Sequence, residues 1–429
     1  MPDIRRTRLA VRVTVASALT AFAVTAPGTP STAEPATGAA ARAAATWLAG
    51  EFTDGALPGP FGGQDWGLTI DGLLALTAAD VAGATRQAAA DRLAGHVTSY
   101  TTYDDYGIPG FTDGGATAKL LFAAAVAGAD PTDFGGHDLR RTTLELIAGA
   151  GDQTGRILSR TTPDTGPDAS NTFDQSFAVL GLARTGEVPQ DAVDFLVRQQ
   201  CAAGGFRLYP DVAGAPSPSC DAQPDAPLDV DTTAMAVQAL LAAATDGSAG
   251  AADAARRGAD WLTAQQHTDG SFGGSGPTTG ANANSTGLAG QALRAAGRTA
   301  PADRADAALV ALQVTAAGGG AAGADAGAVA YSTEALTAAL ADGISDAGRD
   351  QWRRATSQAL LGLAGVPLGR IGLDPPSSPG PTGSPTGSPT PSGSPSTPPT
   401  ASPTPSASPS PSRTAGPGGT PTPSNGPTG

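Results

Sequence analysis

Two acidic residues open the segment of the sequence with the clearest chemical potential. The run Asp229-Val230-Asp231-Thr232-Thr233-Ala234 precedes an apolar stretch, so both carboxyl groups stand at the start of a predicted helix. A carboxyl group that is withdrawn from water can keep its proton near neutral pH and act as a general acid. The same side chains can instead cap the helix by accepting a backbone N–H. Acid catalysis by Asp231, with Asp229 beside it, and helix capping are the two open interpretations.

The other reactive residue types form no second catalytic pattern. Beyond residue 33 the sequence has no G-x-S-x-G, S-x-x-K or H-E-x-x-H motif. His96, His137 and His267 are isolated from one another, so we expect no metal site and no cofactor. Cys201 and Cys220 enclose a short stretch rich in Pro, Gly and Ser. In an oxidising compartment this pair is expected to form a disulfide, and two free thiols are the alternative.

The charge of the chain excludes one large class of function. The 25 Lys and Arg residues face 39 Asp and Glu residues, which gives a formal net charge of -14. Lys119 is the only lysine. A phosphate backbone requires clustered basic side chains, so the composition excludes a nucleic-acid partner.

Both ends of the sequence differ in composition from its centre. Residues 1–33 combine four arginines with the apolar stretch Val13–Ala26 and the small residues before position 34, which is typical of a signal peptide; an uncleaved anchor is the alternative. Residues 374–429 are rich in Ser, Thr, Pro and Gly and contain no Val, Ile, Leu, Met or aromatic residue. This composition predicts a disordered tail. We therefore expect a secreted, cell-wall-associated protein with no membrane span after signal cleavage.

The centre of the chain, residues 34–373, contains a repeat. The form Q-x3-G-x-aromatic occurs at Gln200–Phe206 and again at Gln266–Phe272. Each copy follows an apolar helical run and precedes a second helical run. Weaker copies share the same phase, and across all six copies the aligned positions are Gly55, Gly107, Gly155, Gly204, Gly270 and, in sixth place, Ala317. A fixed period of about 50 residues predicts six helix pairs.

The helices of each predicted pair differ in polarity. The second helices are apolar on nearly all sides, as in the run Ala234–Leu241, which predicts that they are buried. The first helices are amphipathic. An inner ring of second helices surrounded by an outer ring of first helices accommodates both patterns. A closed ring also needs no polar capping repeats, whereas an open solenoid does. We therefore predict an all-α fold, an α6/α6 toroid.

The repeat, the helix pairs and the acidic run together resemble the prenyltransferase/squalene-cyclase superfamily, and among its members the secreted actinobacterial repeat proteins. This resemblance covers about residues 40–370 and implies the α6/α6 toroid fold. In the superfamily the motif glutamine and aromatic residue are structural, so Gln200, Phe206, Gln266 and Phe272 are expected to belong to the scaffold. The resemblance also implies that Asp231 occupies the proton-donor position of class II terpene cyclases, although Thr232 replaces their last aspartate.

A toroid of this phase would bring several loop residues to one mouth, as a polar rim around an apolar cavity. The rim candidates are Trp66, Asp71, Tyr106, Asp174, Asn284 and Tyr331. Such a cavity indicates a binding site for a small molecule or a cell-wall component. We expect a monomeric protein that binds such a partner without catalysis. The alternatives are a terpene-cyclase-like enzyme and a purely structural wall protein. The chain's few aromatic residues disfavour a cyclase, which needs aromatic faces around its carbocations.

Overall fold

The computed structural model describes residues 36–373 with the exception of residues 213, 214, 217, 218 and 224. The predicted signal peptide and the predicted tail lie outside these residues. The described helices are α1 Ala36–Gly50, α2 Trp66–Ala78, α3 Gly83–Ala94, α4 Val97–Thr101, α5 Gly114–Val126, α6 Leu139–Glu145, α7 Thr172–Thr185, α8 Gln190–Arg198, α9 Val230–Thr245, α10 Ala251–Gln265, α11 Ala283–Ala295, α12 Thr299–Ala311, α13 Thr333–Asp342 and α14 Arg349–Ala364.

The helices form two concentric rings. The inner ring consists of α2, α5, α7, α9, α11 and α14, each in contact with the next, and α14 in turn contacts α2. The outer helices α1, α3, α6, α8, α10 and α12 pack against this ring. The last inner helix therefore meets the first, and the predicted all-α toroid is confirmed. In the sixth repeat an additional helix, α13, follows the outer helix α12 and precedes the inner helix α14 along the chain.

Small side chains allow the inner helices to approach one another closely. Most residues of α9 and α11 are buried, and many of them are alanine or glycine. Where α11 crosses α14, a Cβ atom on Gly287 would lie 2.2 Å from the backbone oxygen of Gln358. A helix that is apolar on all sides has no solvent face to offer, so these helices are stable only inside the ring.

The motif glutamines connect neighbouring repeats. The Gln200 amide nitrogen donates to the backbone oxygen of Gly204, within its own loop, and to that of Ala254 in α10. Gln266 does the same with Gly270 and with Pro301 in α12. Each glutamine thus ties its loop to the next outer helix, as its expected scaffold role requires.

In the third repeat a residue distant in sequence replaces the motif glutamine. Gln175 of α7 donates to Gly155 O and to Ala192 O of α8, and its own oxygen accepts the N–H of Ile157. In the complete motifs a threonine hydroxyl accepts the corresponding N–H, for example Thr233 for Phe206. The structural role is conserved although the motif spacing is not.

Two of the aligned repeat positions were wrong. In the sixth repeat Gln313 bonds to Gly327 O and to Ala40 O of α1, so Gly327, and not Ala317, is the motif glycine. A longer loop between the glutamine and this glycine moved it out of phase. Gly107 has a positive φ of 72°, but a Cβ atom there would have no neighbour within 4 Å. The second repeat therefore lacks the close contact that the other glycines make.

Four very short strands interrupt the helical pattern near the predicted insertion. Strand β1 Phe206–Arg207 pairs antiparallel with β4 Leu228–Asp229, and β2 Asp211–Val212 pairs antiparallel with β3 Ala215–Pro216. Phe206 stands opposite Asp229 in the first ladder. A disulfide joins Cys201 to Cys220, as predicted, and closes the loop that carries β2 and β3.

Ion pairs join the first repeat to the last where the ring closes. Glu51, directly after α1, lies 2.7 Å from the Arg349 guanidinium and 2.9 Å from that of Arg353, both on α14. Arg349 also pairs with Asp325, which accepts the indole N–H of Trp47. We call Glu51, Arg349, Arg353, Asp325 and Trp47 the seam cluster.

The segment after α14 closes one end of the ring. Residues 366–373, which we call the plug, run across the carboxyl ends of the inner helices, and Leu368 and Ile371 are buried there. Gln291 of α11 donates to the backbone oxygen of Val366, and Arg184 of α7 donates to those of Gly369 and Ile371. The ring is thus open at the amino ends of its inner helices.

None of the helices within the described residues is long and apolar enough to span a membrane.

Candidate functional site

The open end of the toroid is formed by capped helix starts. Five inner helices begin after a side chain that accepts a backbone N–H two or three residues along; the capping residues are Asp65, Asp113, Asn171, Asp229 and Asn282. An aspartate or asparagine at this position satisfies an N–H that would otherwise have no partner. The residues that follow each cap therefore lie around one mouth.

Between α5 and α7 the mouth deepens into a pocket of about 560 Å³, which we call the mouth pocket. Part of its wall is aromatic and comes from Tyr100, Tyr103, Phe111, Phe173 and Phe177. The polar part includes Asp113, Lys119, Asp168, Asn171 and Asp174. Of the residues predicted for the rim, Asp174 lines this pocket directly.

The single lysine of the chain lies in this pocket. Lys119 Nζ is 2.7 Å from Asp71 Oδ1 and donates to Gly67 O, both on α2. Burial alone would lower the pKa of Lys119, but the attraction of Asp71 outweighs it, so the pKa is raised and the ammonium group stays charged. The predicted rim residue Asp71 thus fixes the lysine in place.

Asp174 is held at the first turn of α7 by a reciprocal cap. Its Oδ2 accepts the N–H of Asn171, whose side chain accepts the N–H of Asp174. A Cβ atom on Gly115 of α5 would lie 2.2 Å from Asp174 Oδ1, so only glycine leaves room for this carboxyl group. The pKa of Asp174 is raised to about 6, mainly by burial and in part by the charge of Asp113, although the N–H of Asn171 opposes the shift. Burial likewise raises the pKa of Tyr100 to about 12.

Asp229 and Asp231 play different roles. Asp229 Oδ1 accepts the N–H of Thr232, and its Oδ2 accepts the hydroxyl of Ser275, so Asp229 is a cap. Asp231 Oδ1 is buried and has no hydrogen-bond partner among the described residues. The pKa of Asp231 is raised to about 6, mainly by burial and in part by the charge of Asp229, although a hydrogen bond from Ser285 opposes the shift.

Asn284, a predicted rim residue, lies in the first turn of α11 and does not cap it. The cap is Asn282, which accepts the N–H of Ser285. Asn284 occupies the same position after its cap as Asp231 does, and its Oδ1 is also buried without a partner in the described structure. The backbone oxygen of Tyr331 accepts the N–H of Ala283. Burial and the charge of Asp231 raise the pKa of Tyr331.

The predicted rim therefore divides into two groups at the same end of the ring. Asp174 lines the mouth pocket and Asp71 pairs with its Lys119. Asp231 and Asn284 lie in the first turns of α9 and α11, and the backbone of Tyr331 contacts the start of α11. Trp66 stacks on His96 at 4.4 Å between ring centroids. Tyr106 is largely exposed and touches Tyr103 edge-on.

Sequence reasoning missed Lys119 and most of the aromatic wall. A lone lysine within the otherwise apolar helix α5 was the available signal, because a charge there needs a buried partner. The described residues contain no group of three or more His, Cys, Asp or Glu side chains placed to hold a metal ion.

The raised pKa of Asp174 predicts a specific pH dependence of stability. Unfolded, this carboxyl group titrates near pH 4, and folded it titrates near pH 6, so the folded state binds more protons between these values. Stability should therefore fall as the pH rises from 4 to 6 and remain lower above that window. Asp174→Asn should remove about 2 kcal/mol of this fall. Urea unfolding of both proteins at pH 4.5 and 7.5 measures it; parallel pH profiles would contradict the assignment.

Comparison with known proteins identifies the architecture. No protein-family model and no curated protein matches the sequence. Among solved structures, a protein from Actinoplanes is 17% identical with a TM-score of 0.51, over 77% of this chain and 99% of its own. An α-1,6-mannanase of Salegentibacter is 11% identical with a TM-score of 0.51, over 76% of this chain and 99% of its own.

A type II terpene cyclase from Scytonema, in complex with its substrate geranylgeranyl dihydroxybenzoate, also matches. It is 14% identical with a TM-score of 0.50, over 78% of this chain and 97% of its own. Identities this low establish the fold alone. Together with the closed ring, these matches show that the chain has the α/α toroid fold expected from its resemblance to the prenyltransferase/squalene-cyclase superfamily.

Proposed function

We propose that the protein is an exported, envelope-associated toroid that binds a hydroxyl-rich small ligand, a saccharide, in the mouth pocket without transforming it. The observation that carries this proposal is the pocket wall, which combines aromatic rings with fixed polar groups. A sugar ring has an apolar C–H face and a rim of hydroxyl groups. Aromatic rings pack against the C–H face, and a few fixed polar groups form hydrogen bonds with the hydroxyl groups.

The polar groups are held rigidly before any ligand arrives. An ammonium group has three N–H donors, and Lys119 uses two of them on Asp71 and Gly67, which leaves one for a ligand oxygen. Asp174 is fixed by its reciprocal cap with Asn171. Groups that are already ordered lose little entropy on binding, which favours recognition of a weakly held polar ligand.

The state of the other carboxyl groups supports binding rather than hydrolysis. Glycoside hydrolysis ordinarily uses two carboxyl groups on opposite sides of the scissile bond. Asp113 caps α5, and Asp168 accepts the N–H of Ser159 and pairs with Arg156 at 3.3 Å. Asp113 and Asp168 are thus held by the scaffold, which favours binding over hydrolysis in this pocket.

Tyr103→Ala should weaken saccharide binding about tenfold, because the ring of Tyr103 is a wall of the pocket and stacks on Phe111 at 4.2 Å. Tyr103 is 39% exposed, so its loss should leave the fold intact. Titration of neutral hexose oligosaccharides, followed by NMR or calorimetry, measures the change. Tyr209→Ala is the matched control, because Tyr209 is 62% exposed and does not line the pocket. Absence of binding by every saccharide, or equal loss in both variants, would contradict the proposal.

Export requires its own test. Fractionation of the producing cell should find the protein in the wall or the medium, with its amino terminus near residue 34. A protein confined to the cytoplasm would refute the exported part of the proposal and leave the binding part standing.

Acid catalysis by Asp231 is the second candidate function. Its buried, unpartnered oxygen and its pKa of about 6 favour this candidate. Thr232 in place of a further aspartate disfavours it, and Asp231 does not line the mouth pocket. Incubation with polyprenyl substrates decides the matter: a cyclised product that is lost in Asp231→Asn would establish an enzyme.

A further inference from the structure

A second cavity lies at the closed end of the toroid, opposite the mouth. It has a volume of about 410 Å³ and is formed by the last turns of α7, α9 and α11 together with the plug. We call it the plug pocket. Its apolar wall comes from Ala183, Leu241, Ala242, Ala295, Pro367 and Leu373. The charged side chains of the plug pocket are mainly basic, whereas those of the mouth pocket are mainly acidic. The proposed function does not use the basic ones.

Two arginines line the plug pocket. Arg184 donates through Nη1 to Gly369 O at 3.1 Å and to Ile371 O at 2.9 Å, and Arg370 lies between these two plug residues. Within the described residues neither guanidinium is in an ion pair with a carboxylate. The plug pocket thus brings together two guanidinium groups that no carboxylate neutralises within the described residues.

The electrostatics of the pair point in the same direction. Burial lowers the pKa of Arg184, and the positive charge of Arg370 lowers it further. The repulsion between the partly buried Arg184 and the exposed Arg370 at the edge of the cavity is relieved by an anion between them. Asp246 lines the same cavity but forms no ion pair with either arginine among the described contacts.

A buried amide supplies an independent observation. Gln238 of α9 lines the plug pocket and is only 3% exposed. Its Oε1 accepts the N–H of Leu368 at 3.0 Å, whereas its Nε2 has no partner in the described structure. The amide cannot be turned round, because Leu368 N–H can only donate and would then face a second donor. An N–H group is therefore left at the pocket wall without an acceptor, which is costly unless a ligand supplies one.

We propose that the plug pocket binds an organic anion, a carboxylate or phosphate monoester attached to an apolar chain. The anionic group would lie between Arg184 and Arg370 and accept the Gln238 N–H. Guanidinium groups suit the paired oxygens of carboxylates and phosphates. The apolar chain would cover the alanine and leucine wall. A cation is excluded by the arginines, and a saccharide would leave the apolar wall uncovered.

This site does not depend on the saccharide proposal, because it lies at the other end of the ring and uses other residues. Full-length protein is titrated with octanoate and octyl phosphate, which distinguish the two head groups, and with octanol and inorganic phosphate, which each lack one half of the ligand. Isothermal calorimetry at low salt gives the dissociation constants. We expect at least one octyl anion to bind with a constant of about 1 mM or tighter.

The sharpest variant is Arg370→Gln. Arg370 is exposed and its side chain has no hydrogen bond among the described contacts, so the fold should tolerate the change. The octyl anion should bind about tenfold more weakly to it, because a charge-assisted contact is lost. Arg256→Gln removes the same charge from the outer helix α10, away from the pocket, and should leave the affinity unchanged.

Three outcomes would overturn the proposal. Octanol binding as tightly as octanoate would mean that the pocket recognises only the apolar chain. Equal weakening by Arg370→Gln and Arg256→Gln would mean that the net charge of the protein, and not the pocket, attracts the anion. Absence of binding by both octyl anions up to 10 times the expected constant would mean that no such site exists.

Discussion

Glu51→Ala should lower the free energy of unfolding by about 3 kcal/mol, because it leaves Arg353 without a carboxylate partner and Arg349 with Asp325 alone. The side chains of Glu51 and Arg353 are only 8% and 13% exposed, so the charge left on Arg353 is largely shielded from water. Removal of one member of a buried ion pair is costly mainly because the other charge stays buried. Urea unfolding at pH 7, with the slope held common to both proteins, measures the difference.

Glu145→Ala is the matched control for this change. Glu145 also pairs with an arginine, Arg141 one turn earlier on α6, but both side chains are largely exposed. An exposed pair of this kind contributes about 0.5 kcal/mol or less. Equal losses in the two variants would show that the seam cluster does not hold the ring closed. High salt should reduce the small loss at Glu145 far more than the large one at Glu51.

Ring closure was predictable from sequence because it follows from polarity. Helices that are apolar on all sides, such as α9, must be enclosed, and six of them at a regular period leave few arrangements other than a ring. The charged residues that fasten the seam were not predictable. Glu51 and Arg349 are almost 300 positions apart in sequence, and they become neighbours only because the ring closes.

The motif failed as a guide where a loop changed length. Gln313 and Gly327 make the expected bonds, but the intervening loop is too long for the Q-x3-G form. In the third repeat Gln175, on α7, makes the corresponding hydrogen bonds to Gly155 and Ala192. What the fold conserves is a hydrogen bond to the next outer helix and a glycine that lets that helix approach. A spacing rule captures this geometry only in repeats with short loops.

Part of the candidate site follows from the repeat. Asp174 and Asp231 lie in the first turns of α7 and α9 at the open end, because the capped helix starts follow the repeat period. Which residues share a pocket depends on the angle between neighbouring helices, and the sequence does not contain that angle. Lys119 shows this best, since its partner Asp71 belongs to the preceding repeat.

Gly155→Ala should lower the free energy of unfolding by about 4 kcal/mol. Gly155 has a φ of 89°, which a residue with a Cβ atom rarely adopts. The added Cβ would lie 1.8 Å from Asp191 O at the start of α8, so the loop and the helix would have to separate. Their separation would break the bonds from Gln175 to Gly155 O and Ala192 O as well.

Gly107→Ala is the control for Gly155→Ala, because it introduces the strain of a positive φ without a steric clash at the added Cβ atom. Gly107 has a φ of 72°, but its Cβ atom would meet nothing within 4 Å, so only the backbone strain of about 1 kcal/mol applies. Urea unfolding of the two variants side by side should therefore give a difference of about 3 kcal/mol. If both cost the same, positive φ alone would explain the repeated glycines. The larger loss at Gly155 would instead identify them as the points where each loop touches the next helix of the ring.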